Sequence, residues 1–369
     1  MTDVLIIGGG VIGLLLAKEL VERSISVTLI ERSQVGAEAS WAGGGIVSPL
    51  YPWNYSTAVT ALASWAQHAY PALASELKDA TGIDPEFNPC GLLMLDPPGY
   101  SDIVDWAQHH SKNFSLMNSA QLLEHEPELK SDCRRGVWWP DIGNIRNPRF
   151  LQSLHAYLVQ HPLCRIDGNV EARALQRLDG DRAQVVTSIG NLQAGKVVVC
   201  AGAWAGDLLV DAGTPLSIQP VKGQMLVFEP SPGLINSIML HQGRYLIPRL
   251  DGRIVVGSTL EHTGFEKVVT SEARNELLDV AYSLVPALRS VSVEAHWAGL
   301  RPGSPHGIPY IGAMPGWSNL YVNAGHFRNG LVLAPASVRL MVNLLLQEEP
   351  IVDPAPYAPE TVRPSADMY

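Results

Sequence analysis

Three glycines and one acid near the N-terminus are spaced to hold a dinucleotide. Gly8, Gly10 and Gly13 stand in G-x-G-x-x-G order, and Glu31 follows them. Gly8 permits a tight turn, Gly10 lets backbone approach a pyrophosphate, and Gly13 lets a helix pack closely on a strand. That helix would point unpaired N–H groups and its positive dipole end at the phosphates, which brings Val11 and Ile12 into the expected contact set. Glu31 is placed to accept hydrogen bonds from an adenosine ribose and would repel a 2′-phosphate, although Arg32 beside it acts the other way. A second candidate dipole site lies far downstream. There Leu320-Tyr-Val-Asn-Ala reads as a strand running into Gly325-His326-Phe327-Arg328-Asn329-Gly330-Leu331 and then an apolar helix.

The elements that must position these residues can be read from periodicity. Val4–Ile7 is a short apolar run of the kind found in strands buried on both faces. Leu14, Ala17, Leu20 and Val21 recur at helical spacing, with Lys18, Glu19 and Glu22 expected to face outward. Ser26-Val-Thr-Leu-Ile-Glu31 completes a βαβ unit, which makes an adenine dinucleotide the expected ligand and leaves FAD and NAD equally admissible. The small residues from Gly36 to Pro49, among them Ser40, Ala42, Gly43 and Gly44, allow close backbone approach and are expected to cover the cofactor. Residues 57–81 read as a helix broken or kinked at Pro71. The aromatic run Val137-Trp-Trp-Pro140 reads as core packing.

The dinucleotide sheet is expected to resume late, with a hairpin about Asp179-Gly180 and a buried strand from Lys196 that ends in Ala201-Gly202-Ala203-Trp204. Val170, just before the hairpin, is placed to meet the adenine through its backbone. A sheet completed so far from its first strand is unlike a typical NAD domain. The stretches 224–228, 245–249 and 253–259 read as strands of a large mixed sheet, followed by a helix over 271–288.

The chain has 369 residues, a net charge of −10 and 46% hydrophobic content, which suits two interleaved domains and argues against nucleic acid or an anionic membrane as partner. Its four cysteines are far apart with no metal-ligand spacing, so reduced thiols and no metal site are expected. The apolar run Val11–Ala17 is too short to span a bilayer. A cytoplasmic protein without an integral membrane segment is expected, with nothing preceding the fold. The Pro-rich stretch from Pro350 should be extended and fray towards Tyr369.

With these features in place, the chain closely resembles the D-amino-acid oxidase family of FAD-dependent oxidoreductases, and within it the glycine oxidases that serve thiamine biosynthesis. The resemblance covers essentially the whole chain. It is carried by Gly8-Gly-Gly-Val-Ile-Gly13 with Glu31, Ala201-Gly-Ala-Trp204, Tyr245-Leu-Ile-Pro-Arg249, Gly299-Leu-Arg301-Pro-Gly303 and Gly325-His-Phe-Arg-Asn-Gly330. It implies FAD rather than NAD, with the helix after Asn329 facing the pyrimidine edge of the flavin. By the same resemblance, Arg301 binds the substrate carboxylate, Tyr245 adds its hydroxyl, and Arg328 lies near substrate and flavin. A guanidinium fork suits the first task, because it offers two parallel charge-assisted hydrogen bonds. His296, His306 and His326 read as structural, since hydride transfer from a neutral amine needs no side-chain base.

Two departures matter. Leu260 stands where a pocket methionine is expected of glycine oxidases, and it is a candidate wall with the Gly43–Pro49 loop. No cysteine follows the Gly-Leu-Arg segment, so the FAD should be non-covalent.

The implied architecture is α/β with α+β character: a Rossmann-like FAD domain (1–80, 140–220, 300–369) interleaved with a β-rich substrate domain (81–139, 221–299). The implied reaction is oxidation of glycine, and of sarcosine or small D-amino acids, to an imine that hydrolyses to the oxo acid, with O2 as acceptor. Homo-oligomerisation is left open. A dehydrogenase or oxidase with another preferred substrate shares the fold. A silent dinucleotide sensor is the remaining alternative, and it would have no need of a carboxylate clamp.

Overall fold

The computed structural model describes residues 2–130, 132–210 and 212–363. Two large sheets dominate it. A six-stranded sheet runs in the order Tyr310–Ala313, Leu320–Ala324, Lys196–Val199, Val4–Ile7, Val27–Glu31, Cys164–Gly168, parallel except for its first strand. Val4–Ile7 sits inside it, with every residue buried, as a continuous apolar strand should be in a sheet covered on both faces. An eight-stranded mixed sheet has the order Val293–Gly303, Gln219–Phe228, Ile254–Gly257, Arg244–Pro248, Ile238–His241, Leu92–Leu95, Arg135–Trp139, Ser115–Asn118. Both sheets draw strands from early and late parts of the chain.

The hairpin turns at Asp179–Asp181 but is no part of the dinucleotide sheet; with Gly190–Leu192 it forms a separate three-stranded sheet. The helix expected over 57–81 is two helices, Thr57–Gln67 and Tyr70–Thr81, with Pro71 in the first turn of the second, where its missing N–H costs nothing. Lys18 does not face water. The Val11–Val21 helix is covered by other helices, so the lysine stem is buried and its ammonium is tied to Glu22 at 2.5 Å and Glu76 at 2.6 Å.

The C-terminal helix Gly330–Leu346 is apolar on nearly all sides. The span Phe327–Leu346 is long and apolar enough to cross a membrane, yet 72% of that stretch is buried inside the fold, as a core helix is. Pro335 within it has no N–H to give the Leu331 carbonyl, and the buried Tyr70 hydroxyl donates there instead. The Pro350 stretch is tied down as far as Arg363: the Tyr357 hydroxyl donates to the Ala58 carbonyl at 2.8 Å, and the Arg363 guanidinium donates to the carbonyls of Ile308 (2.6 Å) and Pro309 (2.9 Å). The expected fraying towards Tyr369 lies outside the described residues.

Candidate active site

The first glycine turn is built by close contact. Gly8 has φ +115°, and a Cβ there would stand 2.4 Å from the Cys200 carbonyl oxygen; one on Gly13 would stand 2.0 Å from the Gly8 carbonyl oxygen. Strand, helix and the next strand therefore meet with no room for side chains. The Val11–Val21 helix starts at Gly10 without a side-chain cap and has no acid in its first turn. Only Val11 N–H has a partner there, the Ser40 hydroxyl oxygen at 2.9 Å. Uncapped donors at a helix start that faces a cavity suit a phosphate.

That cavity has a volume of about 540 Å³. Its walls fall into three sets. Around Glu31 are Arg32, Val170, Ala201, Gly202 and Trp204. Arg32 lies flat over the Trp204 ring at 3.5 Å, and Phe265 stacks against the same ring at 5.4 Å. Along the middle are Gly8, Gly10, Val11, Ile12, Ser40, Ala42, Gly43 and Gly44. The third set holds Tyr245, Arg301, His326, Phe327, Arg328, Asn329, Gly330 and Leu331. Glu31 also braces the turn from outside, accepting from Gly9 N–H at 2.8 Å and Ser33 N–H at 3.0 Å.

Two buried side-chain atoms of the lining, Asn147 Oδ1 and Asn329 Nδ2, have no protein partner. Orphaned polar atoms of this kind call for a ligand. Together with the uncapped helix and the glycine cradle, they fit an extended dinucleotide.

Arg301 comes from the Val293–Gly303 strand and lies across the neighbouring strand at Gly223, where a Cβ would stand 2.3 Å from both Nη atoms. Its Nη1 donates to the carbonyls of Lys222 (3.3 Å) and Thr259 (3.2 Å), and its Nη2 to the Ser258 hydroxyl (2.6 Å). All three acceptors are neutral. Of five N–H donors, these bonds leave one on Nη2 and that on Nε for a ligand. Burial is the main cause that holds Arg301 below the usual guanidinium range; Tyr245 opposes it and Arg328 adds to it. A half-buried cation whose partners are all neutral is primed for an anion. Tyr245 reaches the same space from Arg244–Pro248, another strand of the same sheet, its hydroxyl 3.8 Å from Met225 Sδ.

Arg249 fixes the Gly43–Gly45 loop. It is buried, donating to Asn144 Oδ1 (2.8 Å), the Ile145 carbonyl (2.9 Å) and the Gly44 carbonyl (2.9 Å), and burial pushes it down to about 10.

His326 is also buried. The Asn323 amide donates to the Ser337 carbonyl (3.2 Å), which leaves its oxygen to accept the Ser337 hydroxyl proton (2.7 Å). Ser337 Oγ must then accept from His326 Nε2–H at 2.7 Å, which puts a proton on Nε2 whether or not Nδ1 carries one. Burial favours the neutral ring, pushing His326 down to about 3.

Gly13 and Leu260 stand outside this lining. Gly13 acts through helix–strand contact. Leu260 falls after the Ile254–Gly257 strand has ended, and a methionine is supplied instead by Met225, which pairs with Gly257 across the sheet. Asn147, Gly223, Met225 and Ser258 are among the lining residues that motif reading missed. Gln224–Phe228 is apolar throughout from Met225 onward, so no alternation in the sequence singles Met225 out.

Comparison with known proteins agrees with this geometry. Residues 3–344 match the family described as FAD dependent oxidoreductase. A glycine oxidase of Pseudomonas aeruginosa is 49% identical over 357 residues, covering 96% of this chain and 98% of that one. One from Pseudomonas putida is 47% identical over 358 residues, covering 97% and 98%. The crystal structure of glycine oxidase from Geobacillus kaustophilus superposes with a TM-score of 0.92 at 29% identity, covering 97% and 98% of the two chains.

Proposed function

The chain belongs to the family of FAD dependent oxidoreductases, and on that premise we propose that it oxidises glycine, with sarcosine and small D-amino acids as further substrates. One observation carries the reading. A half-buried arginine with no acidic partner among the described residues opens into the same cavity as the dinucleotide turn.

FAD would be held without a covalent bond by the Gly8–Gly13 turn, Glu31 and the backbone from Ala201 and from His326 to Leu331. When bound, it would supply a two-electron acceptor for the hydride of the substrate α-carbon, with dioxygen as the final oxidant. The chain's own residues bind and orient. Arg301 and Tyr245 pin the carboxylate, while Gly44 and Met225 close in on Tyr245 and restrict side-chain room. His326, neutral and fixed by Ser337, has no part as a base. The balance is glycine, O2 and water giving glyoxylate, ammonia and hydrogen peroxide. An enzyme of this type would act in the cytoplasm, its imine product serving thiamine thiazole synthesis.

Anaerobic titration with glycine is the direct test: the oxidised flavin band should bleach, and admitting air should yield one peroxide per substrate. No bleaching with any of glycine, sarcosine or D-alanine would refute the reading. Bleaching without peroxide would assign a dehydrogenase that uses another electron acceptor.

A further inference from the structure

Behind Arg301, on the side away from the cavity, lies a buried polar cluster that the proposed reaction does not use. Lys222 is 2% exposed and Gln224 wholly buried, although both are usually surface residues. Lys222 Nζ pairs with Glu261 Oε2 at 2.9 Å and donates to the Val268 carbonyl at 3.2 Å. Glu261 Oε1 accepts from Gln224 Nε2 at 2.9 Å and from the Thr259 hydroxyl. That hydroxyl in turn accepts from Gln224 N–H at 2.9 Å, and the Gln224 carboxamide oxygen accepts from Thr270 N–H at 2.9 Å. The backbones of Lys222 and Glu261 exchange two hydrogen bonds of 2.9 Å each. Three hydrogen bonds hold the Glu261 carboxyl below the usual carboxylate range against the opposing effect of burial.

The position of this cluster gives it a purpose. The two carbonyls that hold Arg301 Nη1 belong to Lys222 and Thr259, the residues whose side chains Glu261 ties together. Among the described residues no other group accepts from Nη1. The guanidinium lies flush over side-chain-free Gly223, so its tilt is set by hydrogen bonds: those two carbonyls at Nη1, with the Ser258 hydroxyl at Nη2, direct its open N–H groups. Hydrogen-bond strength falls off steeply with misalignment, and a bidentate contact needs both donors aimed at once.

We propose that Glu261 is a positioning residue for the carboxylate clamp: its carboxylate, joined to Lys222, Gln224 and Thr259, fixes the carbonyl pair that aims Arg301. The inference rests on the reading of Arg301 as the carboxylate-binding residue. It also distinguishes two roles within one strand end, since Ser258 holds Nη2 directly while Glu261 never touches the ligand.

Glu261→Gln keeps the size and replaces an acceptor with an amide that sets donor against donor at Lys222. The FAD-loaded variant should bind acetate, read by perturbation of the flavin spectrum, about tenfold more weakly than the unaltered protein. Its KM for glycine should rise by a similar factor, with kcat within about twofold and FAD content close to the original, while Tm falls because the buried Lys222 ammonium loses its counter-charge. Removing the stranded ammonium as well, in Lys222→Met/Glu261→Gln, should recover most of the lost affinity, which a general packing defect would not do. If Glu261→Gln does not accumulate, Thr259→Val carries the test; it removes one bridge, leaves the ion pair and should weaken acetate binding severalfold. Acetate affinity unchanged in whichever variant folds would overturn the proposal. Arg301→Lys run alongside separates the two layers. If it too binds acetate normally, the clamp reading fails; if it alone loses acetate, only the role of Glu261 fails.

Discussion

The two ends of the cavity are made in different ways. At the dinucleotide end, the recognition we propose is by backbone: uncapped N–H groups at Gly10–Gly13, glycines that admit no Cβ, and one acid closing the strand. At the opposite end it is by side chains brought from separate strands of the eight-stranded sheet, with Arg301 and Tyr245 in place only because Gly223, Ser258 and Thr259 arrive beside them. A backbone site fails when space is removed. A side-chain site fails when aim is lost.

The sharpest way to break this contrast is to add one methyl group at each end. Gly13→Ala would put a carbon 2.0 Å from the Gly8 carbonyl oxygen, so no folded, yellow protein should be recovered. Gly223→Ala puts a carbon 2.3 Å from the Arg301 Nη atoms, and that side chain can swing away. This variant should keep its FAD and lose glycine affinity. Loss of flavin from Gly223→Ala, or a normal flavin spectrum in Gly13→Ala, would erase the distinction.

Arg301→Lys comes next in size. An ammonium cannot reproduce a two-point contact worth on the order of 1.5–3 kcal/mol, so glycine affinity should fall about tenfold to a hundredfold at unchanged FAD content. Unaltered apparent affinity would show that another cation binds the carboxylate.

Substrate size is the third test. With the carboxylate pinned, Met225, Tyr245 and the Gly43–Gly45 loop limit the side chain. Glycine and sarcosine should lead, D-alanine be tolerated, and D-phenylalanine fall behind in kcat/KM by on the order of tenfold or more. D-phenylalanine outrunning glycine would mean that these walls do not define the pocket.

The last test concerns acid stability rather than binding, through His326. Its folded pKa of about 3 lies below the unfolded value of about 6.5. The unfolded chain therefore binds the extra proton first, and stability is lost as pH falls from 6.5 towards 3, by up to about 1.4 kcal/mol per pH unit. A denaturant series over that range should show a shallower acid slope in His326→Asn than in the unaltered protein. Identical slopes would remove the buried ring as a cause.

This division also explains what could be read from sequence. Gly8, Gly10, Gly13 and Glu31 belong to one local unit whose residues state their own geometry. Pro71 and Asp179-Gly180 likewise act on their immediate neighbours, and both were placed correctly as breaks. Arg301 and Tyr245 were located by family likeness; no spacing rule links positions 245 and 301. Ser258, Gly223 and Met225 stayed hidden because their roles arise from cross-strand register, which the chain does not announce. Leu260 was misplaced for the same reason. Lys18 misled because a charged residue can be buried when a distant Glu76 meets it.

The order of strands in the six-stranded sheet has a consequence for biosynthesis. Val4–Ile7 lies inside the sheet, yet its second neighbour, Lys196–Val199, is made almost two hundred residues later, and Leu320–Ala324 must follow to cover that one. At about 5–20 residues per second, the ribosome takes on the order of 10–40 s to deliver the missing edge. Throughout that time an apolar strand has one row of N–H and C=O groups unpaired, an open template for aggregation. The nascent chain should therefore depend on chaperones until its last third emerges. Ribosome-held chains ending before Lys196 should be cut readily by protease, and resistance should appear only once Ala324 has cleared the tunnel. A protease-resistant N-terminal fragment at the shorter length would show instead that the βαβ unit folds by itself.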